Sequence, residues 1–229
     1  MQPTNAKTMA DVRDMYMVHS MIRRELGLLP QLVREVAPSD AQRSGIVGAH
    51  AKFVCDLLHL HHEGEDAILW PLLQKRGGEE AEAVVSLMEE QHHAIETANQ
   101  EILRLLPQWR YGGQEGHELA AALDRLLAAV LEHLTVEEER ILPLAQKHVT
   151  AAEWRQLGEH SMKRVRKRRL PLAFGMAMYE GDPEVVRSVL ADAPRLAQLI
   201  LSFVAPRHYA KHAKRLYGTT TPSGVTRSP

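Results

Sequence analysis

The sequence has little that would suggest a secreted or membrane-embedded protein. Cys55 is the only cysteine among 229 residues, so no disulfide can form within the chain, and a lone thiol fits a reducing compartment. No stretch approaches the roughly 20 consecutive apolar residues of a transmembrane helix. Residues 1–14 lack the apolar segment of a secretory signal. We therefore expect a cytoplasmic protein without transmembrane segments.

Motifs of several other protein classes are also missing. No alternating apolar and polar pattern predicts β-strands, and no HExxH motif predicts a zincin-type metalloprotease. A basic run, KRVRKRR at residues 163–169, comes without an aromatic RNA-binding motif or a helix-turn-helix signature. We therefore favour docking of this run on an acidic surface of the same chain or another subunit over nucleic-acid binding.

Charge is distributed unevenly along the chain. Residues 1–150 contain 14 Lys and Arg against 23 Asp and Glu, whereas residues 151–229 contain 14 against 6. The contrast predicts a boundary near Thr150. We expect a metal-binding helical bundle over residues 1–150, a basic helical extension over 151–217, and a disordered tail rich in Thr, Ser and Pro over 218–229.

Four segments before this boundary have apolar residues alternately three and four positions apart, which predicts amphipathic helices. Stretches containing Gly, Pro or Ser separate these segments. We predict an all-α fold, an up-down four-helix bundle with additional C-terminal helices. Several polar residues lie where the pattern requires leucine, namely His19, His61, His92, His133 and Glu137, and Glu65 lies at the edge of its apolar stripe.

An internal repeat relates the polar residues of the second and fourth helices. HHEGEDAILWP at residues 61–71 and HLTVEEERILP at residues 133–143 both contain a histidine, a glutamate four positions later and a proline ten positions later. His19 and His92 precede the two stretches at nearly the same distance. The bundle is therefore predicted to consist of two helical hairpins, each with a single histidine and an HxxxE pair.

The HxxxE spacing places both side chains on one helix face, one turn apart. Packing the hairpins together would bring four imidazoles and two carboxylates into the core. A single histidine in such a stripe is usually a hydrogen-bonded core residue, but this explanation does not account for a repeated set. Buried carboxylates are costly unless they are paired or bind a metal. Imidazoles with bridging carboxylates suit a pair of redox metals such as iron or manganese, although the Glu-x-x-His repeat of ferritin-like proteins is absent.

The stretches VHSMIRREL, HHEGEDAILWPLL, EEQHHAIETANQEI and EHLTVEEERILPL resemble hemerythrin-like (HHE cation-binding) domains over roughly residues 10–148. The resemblance implies a four-helix bundle with a non-haem di-iron centre, which binds oxygen reversibly in some members. The residues that it implies as metal ligands are His19, His61, Glu65, His92, Glu96, His133 and Glu137.

Two positions depart from the oxygen-carrying members of this family. Glu96 stands where those members have a second histidine in the third helix. Their fourth-helix carboxylate corresponds to Glu138, whereas the internal repeat favours Glu137, and the choice stays open. An anionic ligand at position 96 would stabilise the ferric state. We therefore expect chemistry with peroxide or nitric oxide, or sensing, in preference to reversible oxygen carriage.

Other polar residues are assigned to the surroundings of the centre. His93 is an alternative to His92, although the apolar stripe favours His92. Tyr16 is a candidate proton or hydrogen-bond donor near the site, although core packing is the usual role of such a residue. His50 is expected to be a hydrogen-bonded core residue, and His62 to flank the ligand His61 without binding metal.

The predicted function is binding of, or reaction with, H₂O₂, O₂ or NO at two non-haem iron ions, in defence against oxidative or nitrosative stress. Iron is expected in preference to manganese or zinc. Turnover of a catalase-like or peroxidase-like kind stays open. Two alternatives keep the same site: a sensor of O₂, NO, redox state or iron that signals through the C-terminal helices, and iron binding without turnover. Homo-oligomer formation is also open.

Overall fold

The computed structural model describes residues 8–112, 116–191 and 195–223. Over these ranges the chain is helical and contains no β-strand, which confirms the predicted all-α fold; an isolated bridge pairs Met9 with Thr150. In the same ranges, no helix combines the length and the apolar character needed to span a bilayer.

Two of the four bundle helices are each interrupted by a wider π-helical turn. We call the first pair of bundle helices the first hairpin and the second pair the second hairpin. The first hairpin consists of α1 (Arg13–Arg34) and α2 (Ala41–Gly64), which a π-turn at Glu65–Leu69 joins to α3 (Trp70–Arg76). The second consists of α4 (Gly78–Gly112) and α5 (His117–Val136), which a π-turn at Glu137–Ile141 joins to α6 (Leu142–His148).

The repeated prolines explain the two π-turns. Proline has no backbone N–H, and its ring crowds the carbonyl group four residues earlier in a regular α-helix. In each repeat a widened turn precedes the proline, Pro71 or Pro143. The N–H of Trp70 then donates to the carbonyl oxygen of Glu65, five residues earlier. Such turns occur frequently at functional sites, and here both begin at a predicted ligand.

The core consists of two apolar clusters with a polar layer between them. On α1 the layer lies between Met15 of one cluster and Ile22 of the other, and on α4 between Met88 and Ile95. The other two bundle helices have the same arrangement. The polar residues of the stripes therefore lie in a layer that apolar side chains cover on both sides.

Over the described residues 151–191 and 195–223, four further α-helices follow the bundle. Thr150 and Glu153 form a capping box at the start of the first of them. The Thr150 side chain accepts from the Glu153 N–H, and the Glu153 side chain accepts from the Thr150 N–H. The helices are α7 (Ala151–Arg164), α8 (Leu170–Met178), α9 (Pro183–Ala191) and α10 (Arg195–Tyr217).

These C-terminal helices pack directly on the bundle. Leu172 and Met176 of α8 and Leu216 of α10 belong to the same apolar cluster as residues of α1 and α2. Arg164, in the basic run, forms an ion pair with Glu63 of α2. The division into separate units at residue 150 stays a prediction. Residues 224–229 of the predicted tail lie outside the described residues.

Candidate metal centre

Seven buried or nearly buried side chains converge in the polar layer. They form two groups, and within each group one potential ligand atom per residue lies within 4.8 Å of the others. The first group contains three imidazoles and one carboxylate, and the second contains two imidazoles and two carboxylates. The first group is His62, Glu65, His92 and His133, and the second is His19, His61, Glu65 and Glu137.

Glu65 belongs to both groups, so its carboxylate is placed to bridge two cations. It lies at the start of the first π-turn and is fully buried. His61 and Glu65 are one helical turn apart, with His61 Nε2 3.4 Å from Glu65 Oε1. The predicted HxxxE pair therefore faces one volume, as does its repeat, in which His133 Nε2 is 3.7 Å from Glu137 Oε2.

Most of the donor atoms have no hydrogen-bond partner within the described part of the chain. These atoms include Nε2 of His19, His61 and His62 and both carboxylate oxygens of Glu65 and Glu137. Each buried unsatisfied polar group costs about 1–3 kcal/mol. Cations at the two groups would satisfy these atoms together.

The His92 and His133 rings give a second indication that the site fits cations. Their Nε2 atoms are only 3.3 Å apart. His92 Nδ1 lies 2.7 Å from the carboxylate of Asp66, and His133 Nδ1 lies 3.2 Å from the side-chain oxygen of Gln91. Because both Nδ1 atoms donate to these oxygens, both Nε2 atoms present lone pairs to each other. Two facing lone pairs repel each other, whereas a cation at this position could be bound by both nitrogen atoms.

Burial shifts the protonation of the layer in a direction that suits ligands. Burial, together with the neighbouring carboxylate of Glu137, raises the pKa of Glu65 well above its ordinary value. Burial also opposes ionisation of Glu137, but attraction to His19 and His133 outweighs it and lowers the pKa of Glu137 to about 2. Burial lowers the pKa of His61 to about 3 and of His133 to about 4. These two imidazoles are therefore neutral near pH 7, as metal ligands must be.

The structure distinguishes the two adjacent glutamates of the second repeat. Glu137 lies in the second group of converging side chains. Glu138 lies behind the group, where its Oε1 atom is 2.9 Å from His19 Nδ1 and accepts from Arg23 at 2.6 Å. The geometry therefore favours Glu137 as a ligand, as the internal repeat does.

The structure corrects the expectation for His62. We expected His62 to flank the centre, but it is buried, its ring stacks on His92 with 4.1 Å between ring centroids, and it belongs to the first group. Consecutive helical residues point about 100° apart. His61 and His62 therefore face different groups. The HH doublet is the sequence signal that indicates this arrangement.

The structure also corrects the expectation for Glu96. Its side chain is 37% exposed and pairs with His59 at 3.0 Å on the outer surface of α2 and α4. It also accepts from the Gln100 side chain, and it belongs to neither group. The converging set therefore has five imidazoles and two carboxylates. The expectation that an anionic ligand at position 96 disfavours reversible oxygen carriage loses its basis.

Three further residues lie outside the two groups. Tyr16 is 37% exposed on α1, and His93 is exposed on α4 while its neighbour His92 points inward. His50 is buried, but its Nε2 atom lies 3.2 Å from Glu25 in a different polar cluster. His50 is therefore a hydrogen-bonded core residue, as expected, but it belongs to a cluster outside the centre; the role of Tyr16 as a hydrogen-bond donor near the site stays a prediction.

The fold and site define a four-helix bundle with a buried layer of imidazoles and carboxylates that could hold cations, and comparison with known proteins supports this class. The family model described as the hemerythrin HHE cation binding domain matches residues 10–145, more than half of the chain and including all seven converging side chains. The chain therefore belongs to the hemerythrin HHE cation-binding family. Searches of curated proteins and of solved structures each found no significant match.

Proposed function

We propose that this protein holds two iron ions in the polar layer and binds or reacts there with a small oxidant or diatomic molecule: peroxide, O₂ or NO. The observation that carries the proposal is the convergence of five imidazoles and two carboxylates whose donor atoms are buried and largely unpartnered. A mixed set of imidazole and bridging carboxylate ligands suits iron. Defence against oxidative or nitrosative stress is the role that we propose for this chemistry.

Each group of side chains would hold one iron ion. His62, His92 and His133 would bind one ion, and His19, His61 and Glu137 would bind the other. Glu65 would bridge the two. When bound, iron supplies a reversible change of redox state and a position for the small molecule.

The chain's own residues fix the ligands and exclude water. The clusters that contain Met88 and Ile95 cover the layer from both sides. In such a water-poor environment the attraction between ligand and cation is stronger than in water. Because the donors are almost fully buried, only a small molecule can reach them without displacing helices.

Iron analysis and absorption spectroscopy test this proposal. Protein purified without oxygen and loaded with Fe(II) should contain close to two iron ions per chain. Its spectrum should change on addition of O₂, H₂O₂ or NO. Repeated consumption of H₂O₂ would identify a catalase-like or peroxidase-like enzyme, and a reversible change with O₂ would identify an oxygen carrier. Failure to retain iron under these conditions would contradict the proposal.

A sensor is a second candidate, which the connection between the centre and α10 supports. α1 carries both His19 of the layer and Glu25, and Glu25 accepts hydrogen bonds from Tyr209 and Tyr217 of α10. A change at His19 could therefore reach α10 through a single helix. Hydrogen exchange in α10 should respond to addition of O₂ or NO if the protein is a sensor, and it should stay unchanged if the centre acts locally.

We also propose that the protein works in the reducing cytoplasm. Cys55 is fully buried, and burial raises the pKa of its thiol to about 12. The thiol therefore stays protonated and unreactive near pH 7. A role in packing agrees with the lack of any cysteine with which it could form an intrachain disulfide.

A further inference from the structure

We propose that Glu138 and Asp66 are positioning residues of the metal centre, and that each orients a histidine ligand of the opposite hairpin. The proposal rests on the metal centre proposed above. Glu138 directly follows Glu137, and Asp66 directly follows Glu65. Each π-turn would therefore supply one carboxylate to the centre and the next one to a neighbouring helix.

The contacts cross between the two hairpins. Glu138 belongs to the second hairpin, and its Oε1 atom lies 2.9 Å from Nδ1 of His19 in the first hairpin. Asp66 belongs to the first hairpin, and its Oδ1 atom lies 2.7 Å from Nδ1 of His92 in the second. Each hairpin therefore orients a ligand of the other.

These contacts determine which ring nitrogen faces the centre. An ionised carboxylate only accepts hydrogen bonds, so the Nδ1 atoms of His19 and His92 carry the proton. In the neutral rings, the Nε2 atoms then present lone pairs to the layer, where they lie 3.2 Å from Glu137 Oε2 and 3.5 Å from Glu65 Oε2, respectively. A carboxylate behind a histidine ligand fixes its tautomer and orientation and raises its basicity.

The two positioning carboxylates are anchored differently. The Glu138 oxygen that accepts from His19 also accepts from Arg23, one turn further along α1, at 2.6 Å. The Asp66 oxygen that accepts from His92 also accepts from the Trp70 indole at 2.8 Å. The Glu138 side chain is 13% exposed and that of Asp66 is 50% exposed. Water competes more strongly at Asp66, so we expect Glu138 to contribute more.

The first test observes the histidine tautomers in the full-length, metal-free protein. Long-range ¹H–¹⁵N NMR spectra, recorded at a pH above the raised pKa of His19, should show the Nδ1–H form for both His19 and His92. Glu138→Ala should convert His19 to a mixture of tautomers and leave His92 unchanged. Asp66→Ala should convert His92 to a mixture and leave His19 unchanged. If neither variant changes its partner histidine, the positioning role is wrong, whatever the protein binds.

The second test measures apparent Fe(II) affinity by competition with a chelator under anaerobic conditions. Glu138→Ala should weaken binding about 10-fold to 100-fold, the usual effect of removing a partner of a histidine ligand. Asp66→Ala should weaken it less. Glu139→Gln is the matched control, because Glu139 is the next residue of the same turn and is exposed. It should bind iron as the unmodified protein does.

The isosteric variant Glu138→Gln keeps the test decisive if Glu138→Ala does not fold. Its amide oxygen can still accept from His19 but carries no charge. The Fe(II) affinity of Glu138→Gln should therefore lie between those of Glu138→Ala and the control. Equal affinities for Glu138→Gln, Glu138→Ala and Glu139→Gln would overturn the inference while leaving the metal centre intact. Absence of iron from the unmodified protein would instead refute the proposed function, and the tautomer test would still decide the positioning role.

Discussion

The adjacent histidines His61 and His62 show how two identical neighbours come to occupy different positions. His61 faces the group that contains His19, with 5.3 Å between the ring centroids, whereas His62 stacks on His92. α2 therefore contributes one imidazole to each predicted metal position. Glu96 of α4 instead forms an exposed ion pair with His59.

Substitutions at positions 62 and 96 test which residue is a metal ligand: Glu96, as the sequence suggests, or His62, as the structure indicates. His62→Ala removes one of three imidazoles from the first group, so the number of tightly bound iron ions should fall from two towards one per chain. Glu96→Gln should retain both ions, because its carboxylate lies outside the groups. Iron analysis after gel filtration measures both. Loss of iron in Glu96→Gln with retention in His62→Ala would show that the resemblance to the family identified the ligand better than the geometry does.

At the scale of the helices, the approach of α10 to α8 depends on Gly175. A Cβ atom on Gly175 would lie 2.8 Å from Tyr209 Cβ and closer still to the Ala205 carbonyl oxygen. Backbone atoms cannot move away as the end of a side chain can. The absence of a side chain at position 175 therefore allows the two helices to touch.

Gly175→Ala should destabilise the protein by about 1–3 kcal/mol, because it forces α8 and α10 apart. Gly158→Ala in α7 is the matched control, since a Cβ there would have no atom of the described residues within 4 Å. The control should stabilise the protein by about 0.5–1 kcal/mol, because alanine favours a helix over glycine. Urea denaturation measures both changes. Equal effects of the two substitutions would contradict the close helix contact.

For the molecule as a whole, a buried carboxylate joins the C-terminal helices to the bundle. Glu25 of α1 is fully buried and accepts hydrogen bonds from the hydroxyls of Tyr209 and Tyr217, each at 2.6 Å. Arg24 donates to it at 2.9 Å, and His50 lies at 3.2 Å. Burial opposes ionisation, but His50 and Arg24 outweigh it and lower the pKa of Glu25 to about 2.

Glu25→Gln should destabilise the protein by about 3 kcal/mol at neutral pH, because the amide leaves charged and hydroxyl donors of a buried network without an ionised partner. Glu35→Gln near the end of the same helix is the control. Glu35 is exposed and accepts from Gln31, and its substitution should change stability by less than about 0.5 kcal/mol. Urea denaturation of both variants checks the difference. A loss of less than about 1 kcal/mol at position 25 would show that the apolar contacts alone hold α10 in place.

The stability of the metal-free protein should fall as the pH decreases from about 7 to about 4. Burial lowers the pKa of His61 to about 3 and of His133 and His212 to about 4. Between these values and the ordinary value of about 6.5, the unfolded chain binds protons that the folded chain does not. His19 and Glu65 act in the opposite direction. Glu137 and its neighbour Glu138 overcome the effect of burial and raise the pKa of His19, and burial together with Glu137 raises the pKa of Glu65.

Urea midpoints at several pH values within that range measure this dependence. His212→Gln, outside the metal centre, should reduce the slope. A midpoint that stays constant or rises as the pH falls would contradict the prediction.

The sequence by itself determines the bundle and most of its polar layer. Apolar periodicity sets the helical faces, and the repeat of HxxxE and proline indicates that two hairpins contribute equivalent ligands. Six of the seven converging residues follow from these patterns: His19, His61, Glu65, His92, His133 and Glu137. Periodicity suffices for five of them because each lies on the predicted apolar stripe of its own helix, and the repeat adds Glu65 at the edge of its stripe.

Only the tertiary structure shows that His62, and not Glu96, belongs to the converging side chains. It also shows that His50 lies in a separate polar cluster. The apolar stripe predicted for α2 passes through His61, but the structure also buries His62, whose ring contacts His92 of α4 and His133 of α5. Glu96 has ligand chemistry, but its side chain lies at the surface between α2 and α4. His50 lies on a stripe, and yet the docking of α10 places it beside Tyr217. The reason is that a sequence pattern specifies the face of a helix, whereas a ligand set depends on distances between helices.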